Sequence, residues 1–297
     1  MNRVYCESPC AMNHVYCESP CTMNRRISRI AVYHELPFTA KASNIMNNLY
    51  IRELRFDSER FRSATLAPED EYLRSLDILS RLDTLELTSP ITFLTGENGS
   101  GKSTLIEAIA IACGFNAEGG SRSFSFSTRQ SSSSLNEYLT IVRSTRRPRD
   151  GYFLRAESFY NAASYLEELD AIPAAAPPVT DGYGSKPLHE MSHGESFLAL
   201  MNHRFHGDGL YILDEPESAL SAKSQLAAIT LLSRLANEGS QFIISTHSPI
   251  LLGCPNSQIY ELRGGRLCPT PYRETASYRL TRQFLEDTDR MVKYLTE

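Results

Sequence analysis

Apolar and polar positions along this chain follow two rhythms. Across residues 46–56 they alternate, as in Tyr50-Ile51-Arg52-Glu53-Leu54-Arg55-Phe56, which predicts a half-buried strand. Residues 57–70 are polar and read as a loop, residues 73–82 as a short helix, and residues 84–87 as a second short strand. A small β-meander is therefore expected ahead of residue 91. From there on, the apolar positions come in continuous runs. Residues 91–94, 210–213 and 241–245 read as buried strands. Residues 105–111, 194–205 and 221–237 read as helices, and residues 277–295 as a closing helix. Residues 259–262 and 266–268, joined at Gly264-Gly265, predict a terminal hairpin.

The middle of the chain is less regular. Residues 119–134 are rich in Ser and Gly and read as a long loop or short strands. Residues 151–159 predict a strand ending in polar residues, and residues 161–169 a helix. Residues 171–186 contain Pro173, Pro177, Pro178, Gly182 and Gly184 and read as a linker-like loop. The first 22 residues repeat an eleven-residue unit, MNRVYCESPCA followed by MNHVYCESPCT. This repeat has no apolar periodic face, so it is expected to be a dispensable disordered tail, or an upstream start ahead of Met23. Zinc binding by Cys6, Cys10, Cys17 and Cys21 is the alternative, but their spacing follows from the duplication itself.

Composition narrows the class. With 297 residues and 41% hydrophobic content, the chain suffices for one large α/β domain or two small ones. Its net charge of −5 sets up no global attraction to nucleic acid or an acidic membrane. A local basic run remains, Arg143-Ser-Thr-Arg146-Arg147-Pro148-Arg149, read as a solvated loop with nucleic-acid contact as the alternative. The apolar stretches fall short of a membrane span, and no N-terminal apolar core of a secretory signal is present, so a cytoplasmic location is expected. Cys113, Cys254 and Cys268 are scattered without ligand spacing and read as reduced thiols.

One stretch carries clear chemistry. Gly96-Glu97-Asn98-Gly99-Ser100-Gly101-Lys102-Ser103-Thr104 is a G-x-x-x-x-G-K-[ST] phosphate loop, set between a predicted buried strand and a predicted helix. Glycines let the backbone wrap an anion without Cβ clashes, and free N–H groups at the loop and helix start face the phosphates. Lys102 can reach the β- and γ-phosphate oxygens, and the Ser103 hydroxyl can join a Mg²⁺ shell. Further on, the run 210–213 ends in Asp214 and Glu215. Asp214 is placed to hold Mg²⁺ through its water shell, and Glu215 to polarise an attacking water. Met191-Ser192-His193-Gly194-Glu195 opens a helix, where Ser192 and the backbone near Gly194 suit a γ-phosphate. Ser192 with Glu195 also fits a capping box, and both readings can hold together. His247 follows the strand 241–245 and faces the crevice where α/β sheets bind ligands.

Together these stretches resemble the ABC-type ATPases. Gly96 to Ser103 looks like Walker A, Met191 to Glu195 like the signature, and Ile212 to Glu215 like Walker B. Ser218 to Ser221 looks like the D-loop and His247 like the switch histidine. Ser-His-Gly-Glu-Ser, Leu-Asp-Glu-Pro-Glu and Ser-Thr-His-Ser-Pro point to small stand-alone bacterial ATPases on the SMC, OLD and RecF side of that superfamily. His193 and Glu195 stand where transporters usually carry Gly and Gln. No Q-loop glutamine is evident: Gln130 comes early in a Ser-rich loop, and Glu157, ending a strand, is the better positional match. No adenine-stacking aromatic stands out, and Arg52 or Arg55 could serve instead. The 90 residues between Gly101 and Ser192 exclude an SMC-length coiled coil.

The resemblance implies a mainly parallel sheet flanked by helices. It adds an N-terminal antiparallel β-subdomain and an inserted helical or loop subdomain over about residues 115–190, within one domain spanning 23–297. It implies ATP and Mg²⁺ as cofactors. Lys102, Glu215 and His247 would be catalytic; residues 96–104 with Ser192, Gly194 and Glu195 would bind nucleotide; Ser103, Asp214 and Glu157 would serve the metal. It further implies an ATP-induced head-to-tail homodimer that drives or gates a partner protein, in DNA maintenance or a defence or toxin module, without membrane insertion. A transporter's nucleotide-binding subunit and a slow ATP-dependent switch in a larger complex are the alternatives.

Overall fold

The continuous apolar runs form the centre of a seven-stranded sheet. The computed structural model describes residues 49–121, 133–155 and 193–297. Its larger sheet has the order β10 (Arg266–Pro269), β9 (Ser257–Arg263), β3 (Ile91–Thr95), β8 (Gln241–Ser245), β7 (Gly209–Asp214), β6 (Asp150–Arg155), β4 (Gly120–Ser121). The inner five strands pair in parallel; β10 and β4 are antiparallel edges. Every residue of β3, β7 and β8 is buried, as a sheet covered on both faces requires. Parallel register sets Leu94, Ser245, Asp214 and Arg155 in one row across the C-terminal strand ends.

Alternate residues feed two cores. Leu94, Phe153, Leu210, Ile212 and Ile243 pack with α2 (Lys102–Ala112) and the smaller sheet. Phe93, Tyr152, Tyr211, Leu213, Phe242 and Ile244 pack with α3 (His193–Arg204) and α4 (Ala222–Asn237). The apolar α2 sequence therefore sits between two layers, while α4 turns one stripe inward through Ala228, Leu231, Leu232 and Leu235. Ser221 starts α4 by accepting the Ser224 amide.

The smaller sheet is antiparallel, in the order β2 (Thr84–Glu86), β1 (Ile51–Phe56), β5 (Leu139–Arg143). Its third strand comes from beyond the phosphate loop, not from a local meander. Residues 139–155, expected within an inserted subdomain, supply β5 to this sheet and β6 to the larger one. The expected loop 57–70 contains α1 (Ser58–Ser63), capped by Asp57. In place of the expected helix over 73–82 lie two 3₁₀ turns, Pro68–Ser75 and Asp77–Leu79. They bury Leu73, Ile78 and Leu79, which on one α-helix of about 3.6 residues per turn would fall on different faces.

The predicted hairpin is present as β9 and β10, turned by Gly264 and Gly265 at φ 53° and 73°. Two successive left-handed residues are what a tight hairpin turn demands. The closing helix expected over 277–295 is two helices, α5 (Ala276–Glu286) and α6 (Thr288–Thr296). Asp287 breaks the run at φ −149° and caps α6 by accepting the Arg290 amide. The repeat 1–22, the helix expected over 161–169 and the linker 171–186 lie outside the described residues.

Candidate active site

The phosphate loop leaves the C-terminal end of β3 and closes on the first turn of α2. Gly96, Gly99 and Gly101 all have positive φ, and Gly101, at 95°, is the N-cap of α2. A Cβ on Gly101 would lie 2.9 Å from Ile78 Cγ2 and 3.1 Å from Leu76. A Cβ on Gly96 would lie 2.8 Å from the Leu262 Cβ. Both positions therefore need glycine for conformation and for space. The loop frames a cavity of about 230 Å³ lined by Asn98, Gly99, Gly101, Lys102, Ser103 and Thr104, with Leu76 and Glu215 on its sides.

Lys102 is buried, with 3% of its surface exposed. Its Nζ donates to the Glu97 carbonyl at 2.6 Å and lies 3.4 Å from Ser100 Oγ. Burial pulls the ammonium below the usual lysine range, and the charges of Glu215, Asp214 and Glu217 pull it back. The cation thus stands between a polar loop and three carboxylates.

Asp214 ends β7 and is buried. Its Oδ1 accepts from Ser245 Oγ at 2.5 Å, and its Oδ2 lies 3.8 Å from Arg155 Nε. Burial raises its carboxyl above the ordinary value, opposed by the Ser245 hydrogen bond, the Arg155 charge and the Ser103 hydroxyl. Glu215 follows in a left-handed conformation, φ 47° and ψ 52°, held by its amide donating to the Ser245 carbonyl at 3.1 Å. Such backbone in a non-glycine residue is strained. Here it turns the chain into the 3₁₀ segment Pro216–Ala219 while Glu215 lines the cavity.

His247 lies two residues beyond β8, with Nε2 at 3.3 Å from Glu215 Oε1. That approach is not aligned as a hydrogen bond, and Nε2 is a buried nitrogen without a protein partner. The His247 amide donates to Glu217 Oε1 at 2.5 Å, and Glu217 Oε2 is likewise buried without a partner. Both buried atoms therefore keep unused hydrogen-bonding capacity.

Of the residues named from sequence, Lys102, Ser103, Asp214, Glu215 and His247 converge here. Ser103 and Asp214 are oxygen donors from neighbouring elements, the set that suits Mg²⁺ alongside phosphate and water. Gly194 and Glu195 lie in the first turn of α3 and are not among the cavity-lining residues; a Cβ on Gly194 would press to 3.0 Å of the Ala219 carbonyl in the stretch 218–221. Ser192, Glu157 and Gln130 lie outside the described residues. Arg52 and Arg55 are exposed on β1, where Arg55 pairs with Glu53, and neither lines the cavity. Ser245, Glu217 and Leu76 were not foreseen. Glu217 was legible only as part of Leu-Asp-Glu-Pro-Glu, and Leu76 carried no signal beyond hydrophobicity.

Two family descriptions match the chain. Residues 71–169 match an AAA domain family. Residues 179–253 match an AAA domain family whose description names an AbiEii toxin and a type IV TA system. The chain has a P-loop NTPase fold of the ABC-ATPase kind. This ABC-ATPase-like chain is related to the AAA and ABC transporter ATPase families. It is 34% identical over 90 residues to a Methanothermobacter thermautotrophicus protein described as an ABC transporter ATP-binding protein, covering 30% of this chain and 32% of that one. It is 28% identical over 175 residues to the manganese transport system ATP-binding protein MntA of Synechocystis, covering 53% and 64%. The chain thus spans only about a third of the Methanothermobacter relative. Among solved structures it resembles the SMC head domain from Thermotoga maritima at 15% identity and a TM-score of 0.40, covering 75% of this chain and 99% of that one. It resembles cbiO1 from Clostridium perfringens at 17% and 0.41, covering 73% and 91%. No helix among the described residues is long and apolar enough to cross a membrane.

Proposed function

We propose that this chain is the ATP-hydrolysing subunit of a larger complex. The observation that carries the proposal is that Lys102, Ser103 and Glu215 line one glycine-walled cavity, with Asp214 against Ser103 and His247 against Glu215 behind them. Lys102 would donate to the β- and γ-phosphate oxygens, and loop amides would hold the rest of the triphosphate. Ser103 and Asp214 would hold Mg²⁺, which when bound neutralises phosphate charge. Glu215 would take the proton of the attacking water, and His247, its backbone fixed by Glu217, would hold the γ-phosphate side. Leu76 would be an apolar wall of the cavity.

The start of α3 does not line this cavity, so Ser192, Gly194 and Glu195 would act on the nucleotide of a second copy in a head-to-tail dimer. The ATP-binding proteins among the relatives favour a transport complex, with this chain as its nucleotide-binding subunit. The match over residues 179–253 favours a toxin module as the second reading. Affinity capture separates them: a copurifying membrane permease supports transport, and a soluble protein partner supports the module.

The direct test is Glu215→Gln. It should bind ATP as the wild type does and turn it over about 10²–10⁴-fold more slowly, the range for loss of a general base. Turnover near the wild-type rate would remove Glu215 from the mechanism.

A further inference from the structure

A charge pair of buried Glu107 and half-buried Arg155, next to Asp214, takes no part in the mechanism above. Glu107 lies on α2 one helical turn beyond Ser103, so the two share a helix face. Its Oε2 accepts from Arg155 Nη1 at 2.5 Å. Arg155 ends β6 and is the register partner of Asp214 on β7, with its Nε 3.8 Å from Asp214 Oδ2. The three side chains are only 23%, 12% and 8% exposed for Arg155, Glu107 and Asp214. One guanidinium therefore bridges the helix that carries Ser103 and the strand that carries Asp214.

We infer that Glu107 and Arg155 are a positioning pair for the divalent cation: they fix the separation of Ser103 and Asp214 and hold Arg155 off the Asp214 carboxylate. The inference rests on the nucleotide site proposed above. Arg155 is a fixed planar fork with several donors. Glu107 takes its Nη1 end at hydrogen-bonding distance, while the Nε end lies 3.8 Å from Asp214 Oδ2, beyond hydrogen-bonding distance. Ser245 holds the other Asp214 oxygen at 2.5 Å, so the carboxylate is oriented from both sides. Held in this way, Arg155 pairs with Asp214 only at long range and without a hydrogen bond, and the carboxylate oxygen stays available to a metal. If Glu107 lost its charge, Arg155 would be free to close on Asp214 and compete with the metal. Burial raises the Glu107 carboxyl above its usual range, opposed chiefly by Arg155, so the pair is electrostatically dependent on itself.

Metal and nucleotide affinities, measured separately, test this. The probe is Mn²⁺ titrated into full-length protein with ATP present and followed by electron paramagnetic resonance, alongside ATP binding measured in EDTA. Glu107→Gln should weaken Mn²⁺ binding about 10–100-fold, the usual effect of losing a group behind a metal ligand, and leave metal-free ATP affinity within about twofold. Arg155→Lys keeps the charge but not the fork and should also weaken Mn²⁺. Single changes can unfold a buried pair, so Glu107→Gln with Arg155→Gln is the second arm. With no cation left to compete, it should bind Mn²⁺ more tightly than Glu107→Gln alone. Equal Mn²⁺ affinity in wild type, Glu107→Gln and the double variant would overturn the inference while leaving the nucleotide site intact. Wild-type protein that binds neither ATP nor Mn²⁺ would overturn both.

Discussion

At the scale of residues, the site is a balance of buried charges. In the proposed site Lys102 would contribute charge-assisted hydrogen bonds worth about 1.5–3 kcal/mol each, so Lys102→Ala should lose tight ATP binding in a calorimetric titration. Unchanged affinity would remove the phosphate loop from the mechanism. Asp214 makes a pH-dependent prediction. Its carboxyl is raised in the fold, chiefly by burial, so its ionisation costs stability once the pH climbs through that raised value. Below the ordinary carboxylate range the group is protonated in both folded and unfolded chains, and the cost vanishes. In EDTA, Asp214→Asn should therefore raise the melting temperature at pH 7–8, with the gain fading as pH falls toward 4. Glu107 and Glu215 remain to balance Arg155 and Lys102 in that variant. A melting temperature that falls at pH 8 would mean that the ion pairing of Asp214 outweighs its burial.

At the scale of elements, the phosphate loop is shaped by what packs behind it. Gly101 and Gly99 both adopt left-handed φ, at 95° and 76°, but only Gly101 has neighbours, Ile78 and Leu76, where a Cβ would go. Gly101→Ala should destabilise the protein by more than about 1 kcal/mol, and by more than Gly99→Ala, in denaturant unfolding. Equal losses would show that backbone conformation alone sets the requirement. Ile78 belongs to the second of the two 3₁₀ segments and Leu76 joins them, a stretch that reads in the sequence as a helix because of its closely spaced apolar residues. The 3₁₀ form is selected by packing against the loop: the Ile78 amide donates to the Ser100 carbonyl at 3.2 Å. The break at Asp287 was similarly hidden. Residues 277–295 keep an amphipathic helical pattern across it, and only the capping geometry reveals two helices.

At the scale of the molecule, the residues described at the start of α3 are not among those lining the cavity beside Lys102. If the signature residues act on a second copy, bound ATP links two chains. Ligation then favours the dimer by about 2.7 kcal/mol per site at a hundredfold excess over Kd. Glu215→Gln with Mg-ATP should therefore run as a dimer in light scattering and return to its nucleotide-free mass when Ser192→Arg is added. The same mass with and without ATP would sink the composite site. Loss of the bridging γ-phosphate would reopen the pair, which is how hydrolysis could move a partner.

The sequence by itself determined the chemistry that short spacing can encode. The glycine loop with Lys102 and Ser103, the Asp214-Glu215 pair at the end of an apolar run, and the strand leading to His247 are all local patterns, set by a few adjacent residues. The buried strands β3, β7 and β8 were legible because continuous apolar runs have few other stable uses. Tertiary structure alone decided what non-local pairing controls. β5 crosses to the first sheet from beyond the phosphate loop, and β9 lies parallel to β3 while also forming the hairpin. Register placed Arg155 beside Asp214 and Asp214 beside Ser245, residues separated by tens of positions with no spacing to betray them. The alternation that marks a strand records which face is buried, not which strand lies next to it. The partners of the acids therefore emerged only from the assembled sheet.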